Sequence, residues 1–146
     1  MISSCNTTTT NKIISVSENK RTFRVKNDSL FTINEVEVDG CYKTTGAKCD
    51  YLFEIISKDT ENNLETITIV FYVELKGSDV SHAIEQLEAT IQYCIPEHKN
   101  INRKECYIVA SKFPSSGPKS QVLKKKIFKK NKIKLIISTK IKEVTV

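Results

Sequence analysis

At 146 residues the chain is one domain long and large enough to bury one core, and 39% apolar content predicts folding rather than disorder. No stretch approaches the ~18 consecutive apolar residues of a membrane span, which argues against a spanning helix. The net charge of +6 is unevenly spread: residues 117–134 hold eight lysines and no acidic side chain, which points to a polyanionic partner.

Residues 1–11 are rich in Ser, Thr and Asn, without the basic start and apolar core of a signal peptide, and read as a flexible tail. Residues 22–26 alternate like a strand, 27–29 form a turn, and 33–38 alternate again before Asp39-Gly40. A polar loop at 43–47 precedes two strong strands, about 49–57 and 66–76, joined by a polar connector. After Gly77 the period changes. Val80, Ile84, Leu87, Ile91 and Cys94 or Ile95 mark one face of a helix, with Ser78 or Asp79 as its cap and Pro96 as its stop. A short strand at 106–110, a loop at 115–118, a basic helix at 121–130 and a last strand at 135–141 complete the order. This order predicts a single α/β domain, a mixed central β-sheet flanked by helices.

The five cysteines, Cys5, Cys41, Cys49, Cys94 and Cys106, are odd in number and lack zinc spacing. They read as reduced packing thiols of a cytoplasmic protein.

The end of the second strong strand carries the chemistry. Residues 69–73 are apolar enough for a central strand covered on both faces, yet Glu74-Leu75-Lys76 follows directly. Ionised groups there must be paired, metal-bound or at the lip of a cleft. A hairpin centred on Asn62 sets Asp50 opposite Glu74 and Leu52 opposite Tyr72, with Cβ atoms of opposed residues ~4.5–5.5 Å apart. Two carboxylates so placed can share one Mg²⁺ or Mn²⁺, with the Leu75 carbonyl as a further ligand. Lys76 would orient or help deprotonate an attacking water and counter phosphate charge.

Other polar residues are weighed in the same way. His82 and Gln86, one turn apart early in the helix, are candidates to hold a phosphate or orient water, or are simply solvent-facing. Glu54 reads as half of a hairpin ion pair, His98 as a loop residue and Asp79 as a cap. Lys119, Lys124, Lys125, Lys126, Lys129 and Lys130 suit contacts along a nucleic-acid backbone. The loop before them lacks P-loop spacing, and no aromatic interleaving for base stacking is evident.

Asp50, then Glu74-x-Lys76 on the next strand, then an amphipathic helix and another strand, together resemble the PD-(D/E)XK, or restriction endonuclease-like, nuclease superfamily. That superfamily includes Holliday-junction resolvases. The resemblance spans roughly residues 40–113. It implies a restriction endonuclease-like core and Mg²⁺- or Mn²⁺-dependent hydrolysis of DNA, with RNA not excluded and a homodimer as a common assembly. Asp50 and Glu74 carry over as metal ligands and Lys76 as the catalytic lysine. Cys49 replaces the proline before Asp50, and no helix supplies an upstream acidic residue; Glu35 and Glu37 are the nearest, in a strand-like pattern. These departures leave open an inactive, nuclease-like module that binds nucleic acid or protein. A small structural protein whose charges serve solubility is the third reading.

Overall fold

The computed structural model describes residues 5–75, 80–112 and 118–146, excepting the side chains at 118–120, 123, 130 and 131. In chain order the strands are β1 (Asn6–Thr9), β2 (Ile13–Glu18), β3 (Arg21–Lys26), β4 (Thr32–Glu37), β5 (Tyr51–Lys58) and β6 (Glu65–Leu75). Helices α1 (Val80–Tyr93) and α2 (Ile95–His98), strand β7 (Arg103–Ala110), helix α3 (Pro118–Asn131), and strands β8 (Lys134–Thr139) and β9 (Ile141–Thr145) follow.

Six strands form a mixed sheet in the order β1-β4-β5-β6-β7-β8. The pairs from β1 to β6 are antiparallel, while β6–β7 and β7–β8 are parallel. Parallel neighbours need a crossover, and α1 and α3 lie in the two crossovers. A three-stranded sheet, β2-β3-β9, forms a second layer.

The α/β class is as expected, but the flanking is not. The helices pack on one face, where Val80, Ile84, Leu87, Ile91 and Ile127 meet Leu52, Val70 and Tyr72. The opposite face is covered by the small sheet, whose Ile14, Val16, Phe23 and Val25 bury Phe53, Ile55, Phe71 and Val73. The Phe23 ring lies 4.9 Å from that of Tyr107 and 5.5 Å from that of Phe53. Each such side chain contributes about 1.5–3 kcal/mol when fully buried. Both faces of β5 and β6 are thereby dry, as their continuous apolar runs require.

The β5–β6 register pairs Leu52 with Tyr72 and Tyr51 with Val73, the pairing a centre at Asn62 predicts. A one-residue irregularity between Ile55 and Ile56 lies on the turn side and leaves the far end in register. The Asp59 and Asn62 side chains accept from the N–H groups of Glu61 and Leu64 and hold the turn.

Several expectations are corrected. The 1–11 segment is not a tail throughout, because β1 pairs with β4 along its length. That pairing brings Cys5 beside the chain after β4, and Cys5 and Cys41 form a disulfide with Cα atoms 5.7 Å apart. The all-reduced reading fails for these two cysteines; Cys49, Cys94 and Cys106 are free and buried. Residues 13–18, where no element is predicted, are β2, and the final segment is two strands broken at Lys140, whose φ is 66°. No helix among the described residues is long and apolar enough to cross a membrane.

Candidate active site

Asp50 immediately precedes β5, and Glu74 and Leu75 are the last residues of the neighbouring β6. The backbone N–H of Asp50 donates to Glu74 Oε1 at 3.1 Å, and the N–H of Leu75 donates to Asp50 Oδ2 at 2.8 Å. Glu74 is 0% exposed and Asp50 6%. The two carboxylates are thus brought together, each with one oxygen on the other strand's backbone. Helix α1 fastens this end of β5: Thr90 Oγ1 accepts from the Cys49 N–H at 2.8 Å and donates to the Gln86 carbonyl at 3.1 Å. Asp50 has no ion-pair partner among the described residues.

Asp50 opens into a cleft of about 220 Å³ lined also by Glu18, Glu37, Asp39 and Tyr51. Its field is negative. Burial raises the Tyr51 hydroxyl pKa above its ordinary value, and the carboxylates of Glu37, Glu18, Glu35 and Asp50 raise it further. Glu35 is likewise raised, by burial first and by Glu37 second. Glu37 therefore reaches the cleft from strand β4 and not from an upstream helix. Glu18 was missed, although it continues the inward-facing alternation of Ile14 and Val16 to the open end of β2.

Carboxylate oxygens are the ligand type that a hard divalent cation takes. Among the described residues no group of three or more His, Cys, Asp and Glu side chains is arranged to hold a metal ion. Mg²⁺, however, is commonly held by one or two carboxylates and keeps several waters. Asp50 and Glu74 are the residues that would hold it, and oxygen ligands suit Mg²⁺ and Mn²⁺ over softer ions.

Lys76, Gly77, Ser78 and Asp79 lie outside the described residues, as does the loop at 113–117. His82 is 54% exposed at its side chain and stands 3.8 Å from Glu85. Gln86 is partly buried, on the turn of α1 that receives Thr90. On α3, Lys125, Lys126 and Lys129 are exposed and Lys124 is half-buried; the side chains of Lys119 and Lys130 lie outside the description. An aromatic does stand among these lysines. Phe128 is 55% exposed and lines a groove of about 350 Å³ with Lys124, Lys125, Lys134, Leu135 and Ile136.

Glu54 and His98 are placed differently from expectation. His98 ends α2, is 1% exposed, and its Nε2 lies 2.6 Å from Glu54 Oε2, while Nδ1 lies 2.8 Å from the Tyr72 hydroxyl. Glu54 Oε1 also accepts from Asn34 Nδ2 at 2.7 Å. The ion-pair partner of Glu54 thus comes from α2, beyond α1, and Asn34 of β4 adds a hydrogen bond. This chain of polar groups lies deep in the core.

No protein-family model, no curated protein and no solved structure matches the chain.

Proposed function

We propose that the protein is a metal-dependent nuclease that hydrolyses phosphodiester bonds in DNA, with a restriction endonuclease-like core formed by β4, β5, β6, α1 and β7. The observation that carries this reading is the reciprocal Asp50–Glu74 arrangement at the open end, away from the turn, of a doubly covered strand pair. Two buried carboxylates at one point favour a cation beside them, and Asp50 opens onto an acidic cleft. Antiparallel β5–β6, then α1, then parallel β7 is the strand–strand–helix–strand context of the Asp50, Glu74-x-Lys76 motif.

In this reading Mg²⁺ or Mn²⁺ supplies Lewis-acid stabilisation of the phosphoryl oxygens and a more acidic water. Asp50 and Glu74 hold the ion, and their backbone hydrogen bonds fix the carboxylate planes. Lys76, two residues beyond Glu74, orients the attacking water and offsets phosphate charge. The lysines of α3 give affinity along the backbone without sequence information.

A second reading, a nuclease-like module that binds nucleic acid or protein without cutting, draws on the complete burial of Glu74 and its absence from the cleft lining. One assay separates the two: incubation with plasmid, single-stranded and branched DNA in Mg²⁺ or Mn²⁺, with Lys76→Ala alongside. Metal-dependent cleavage lost in Lys76→Ala supports the nuclease. Salt-sensitive binding with no cleavage in either protein supports the module.

A further inference from the structure

A second cleft, of about 370 Å³, is lined by Asn19, Lys20, Arg21, Ser111, Lys112 and Lys140. Four of these six are cationic and none is acidic. Three segments meet there: the β2–β3 turn, the residues after β7, and the one-residue break between β8 and β9. Backbone bonds fasten them, from the Thr22 N–H to the Lys140 carbonyl at 2.8 Å and from the Lys140 N–H to the Ala110 carbonyl at 2.9 Å. Leu75 lies beside Val109 in the β6–β7 register, so Ser111 leaves the sheet at the end where Glu74 and Leu75 close β6.

Arg21 is the decisive residue. It occupies the inward-facing position two before Phe23 and four before Val25, at the lip of the core between the two sheets. Only 8% of it is exposed. Its Nη1 donates to Ser111 Oγ at 2.8 Å, and its Nε has no hydrogen-bond partner among the described residues. Glu18 is its cross-strand partner, yet Glu18 lines the acidic cleft and forms no ion pair with Arg21. A guanidinium buried against one hydroxyl, beside three lysines, is an unfavourable arrangement that an anion would relieve. Its planar fork matches two oxygens of a phosphate.

We infer that this cleft binds phosphate, with Arg21 taking two phosphoryl oxygens, Ser111 orienting the guanidinium, and Lys20, Lys112 and Lys140 neutralising the charge. The ligand class is a phosphodiester of a nucleic-acid backbone, an assignment that rests on the nuclease reading. The β2–β3 turn then joins the two functions, because Glu18 on one side lines the carboxylate cleft and Arg21 on the other holds the substrate backbone.

The test is an anisotropy titration of labelled duplex DNA in EDTA, where no cleavage occurs, paired with thermal melts in inorganic phosphate at matched ionic strength. Arg21→Leu is expected to weaken DNA binding about tenfold or more. It should also lower the slope of log affinity against log salt by roughly 0.9 for a lost phosphate contact. Phosphate should raise the Tm of the parent and not of Arg21→Leu. Because Arg21 is buried, Lys140→Gly and Lys20→Gly provide independent variants. Both positions have positive φ (66° and 65°), so glycine removes the charge without harming the turn. They should bind DNA more weakly while melting no lower than the parent.

A lower Tm for Arg21→Leu with unchanged DNA affinity would mean a purely structural arginine and overturn the site. A phosphate effect through Arg21 with unaltered DNA binding would overturn the nucleic-acid assignment. Binding measured in EDTA keeps this test separate from catalysis: if the parent binds DNA through Arg21 but cuts none in Mg²⁺ or Mn²⁺, the nuclease reading falls and the phosphate site stands.

Discussion

Glu74 accepts the backbone N–H of Asp50 while Asp50 accepts the backbone N–H of Leu75, so each carboxylate is oriented by the strand that carries the other. Asp50→Asn and Glu74→Gln retain an oxygen for that bond but lose the negative charge. Metal-dependent cleavage should fall roughly 10³-fold in either variant, the loss of several kcal/mol of transition-state stabilisation. Their melting temperatures should stay close to that of the parent. Lys76→Ala should cost about 10²–10⁴-fold if it assists proton transfer. Plasmid nicking in Mg²⁺ or Mn²⁺ reads all three, and equal cutting by the three variants would reject the site.

His98 and Glu54 form a buried contact at 2.6 Å, so truncating one strands the other away from water. His98→Ala should destabilise the fold by about 3–5 kcal/mol. His82→Ala, at an exposed position on α1, should stay within about 0.5 kcal/mol of the parent. Urea denaturation compares them directly, and similar losses would contradict the assignment of His98 to the core.

Glu35 carries a pH signature. Burial, then the neighbouring Glu37, raises its carboxyl above the ordinary value of 4.5, so the folded chain holds that proton more tightly than the unfolded chain does. Its favourable contribution is complete below the ordinary value and is lost as pH rises through the raised one. Glu35→Gln should therefore melt higher than the parent at neutral pH, with the gap closing as pH falls below the ordinary value. A Glu35→Gln variant that melts lower at neutral pH would refute this.

The Cys5–Cys41 bridge closes a loop with a sequence separation of 36. By chain entropy it stabilises the fold by about 3–4 kcal/mol. The double variant Cys5→Ser, Cys41→Ser should melt lower than the oxidised parent. A reductant should bring the parent down to the same temperature and leave the double variant unmoved. A parent insensitive to reductant would count against the bridge.

Legibility followed the range of the contacts. The β5–β6 hairpin was readable because apolar alternation and a polar connector define both strands and their centre locally, and Asp50 opposite Glu74 follows by counting. The buried face of α1 was readable for the same reason, since Val80, Ile84, Leu87 and Ile91 repeat within one helix. The small sheet was not, although Ile14, Val16 and Glu18, like Arg21, Phe23 and Val25, alternate correctly. A short amphipathic hairpin does not say which larger surface it will cover.

The sequence by itself therefore determined the α/β class, the central hairpin with its register, and the meeting of Asp50 with Glu74, because period and turn chemistry act between near neighbours. Tertiary structure alone decided the rest. His98 reaches Glu54 across 44 residues, Cys5 reaches Cys41 across 36, and Arg21 reaches Ser111 across 90. Such contacts exist only once segments distant in the chain have packed together, and the physical reason is burial: side chains that alternation marks merely as inward receive their partners from whatever distant segment the fold brings to the same face.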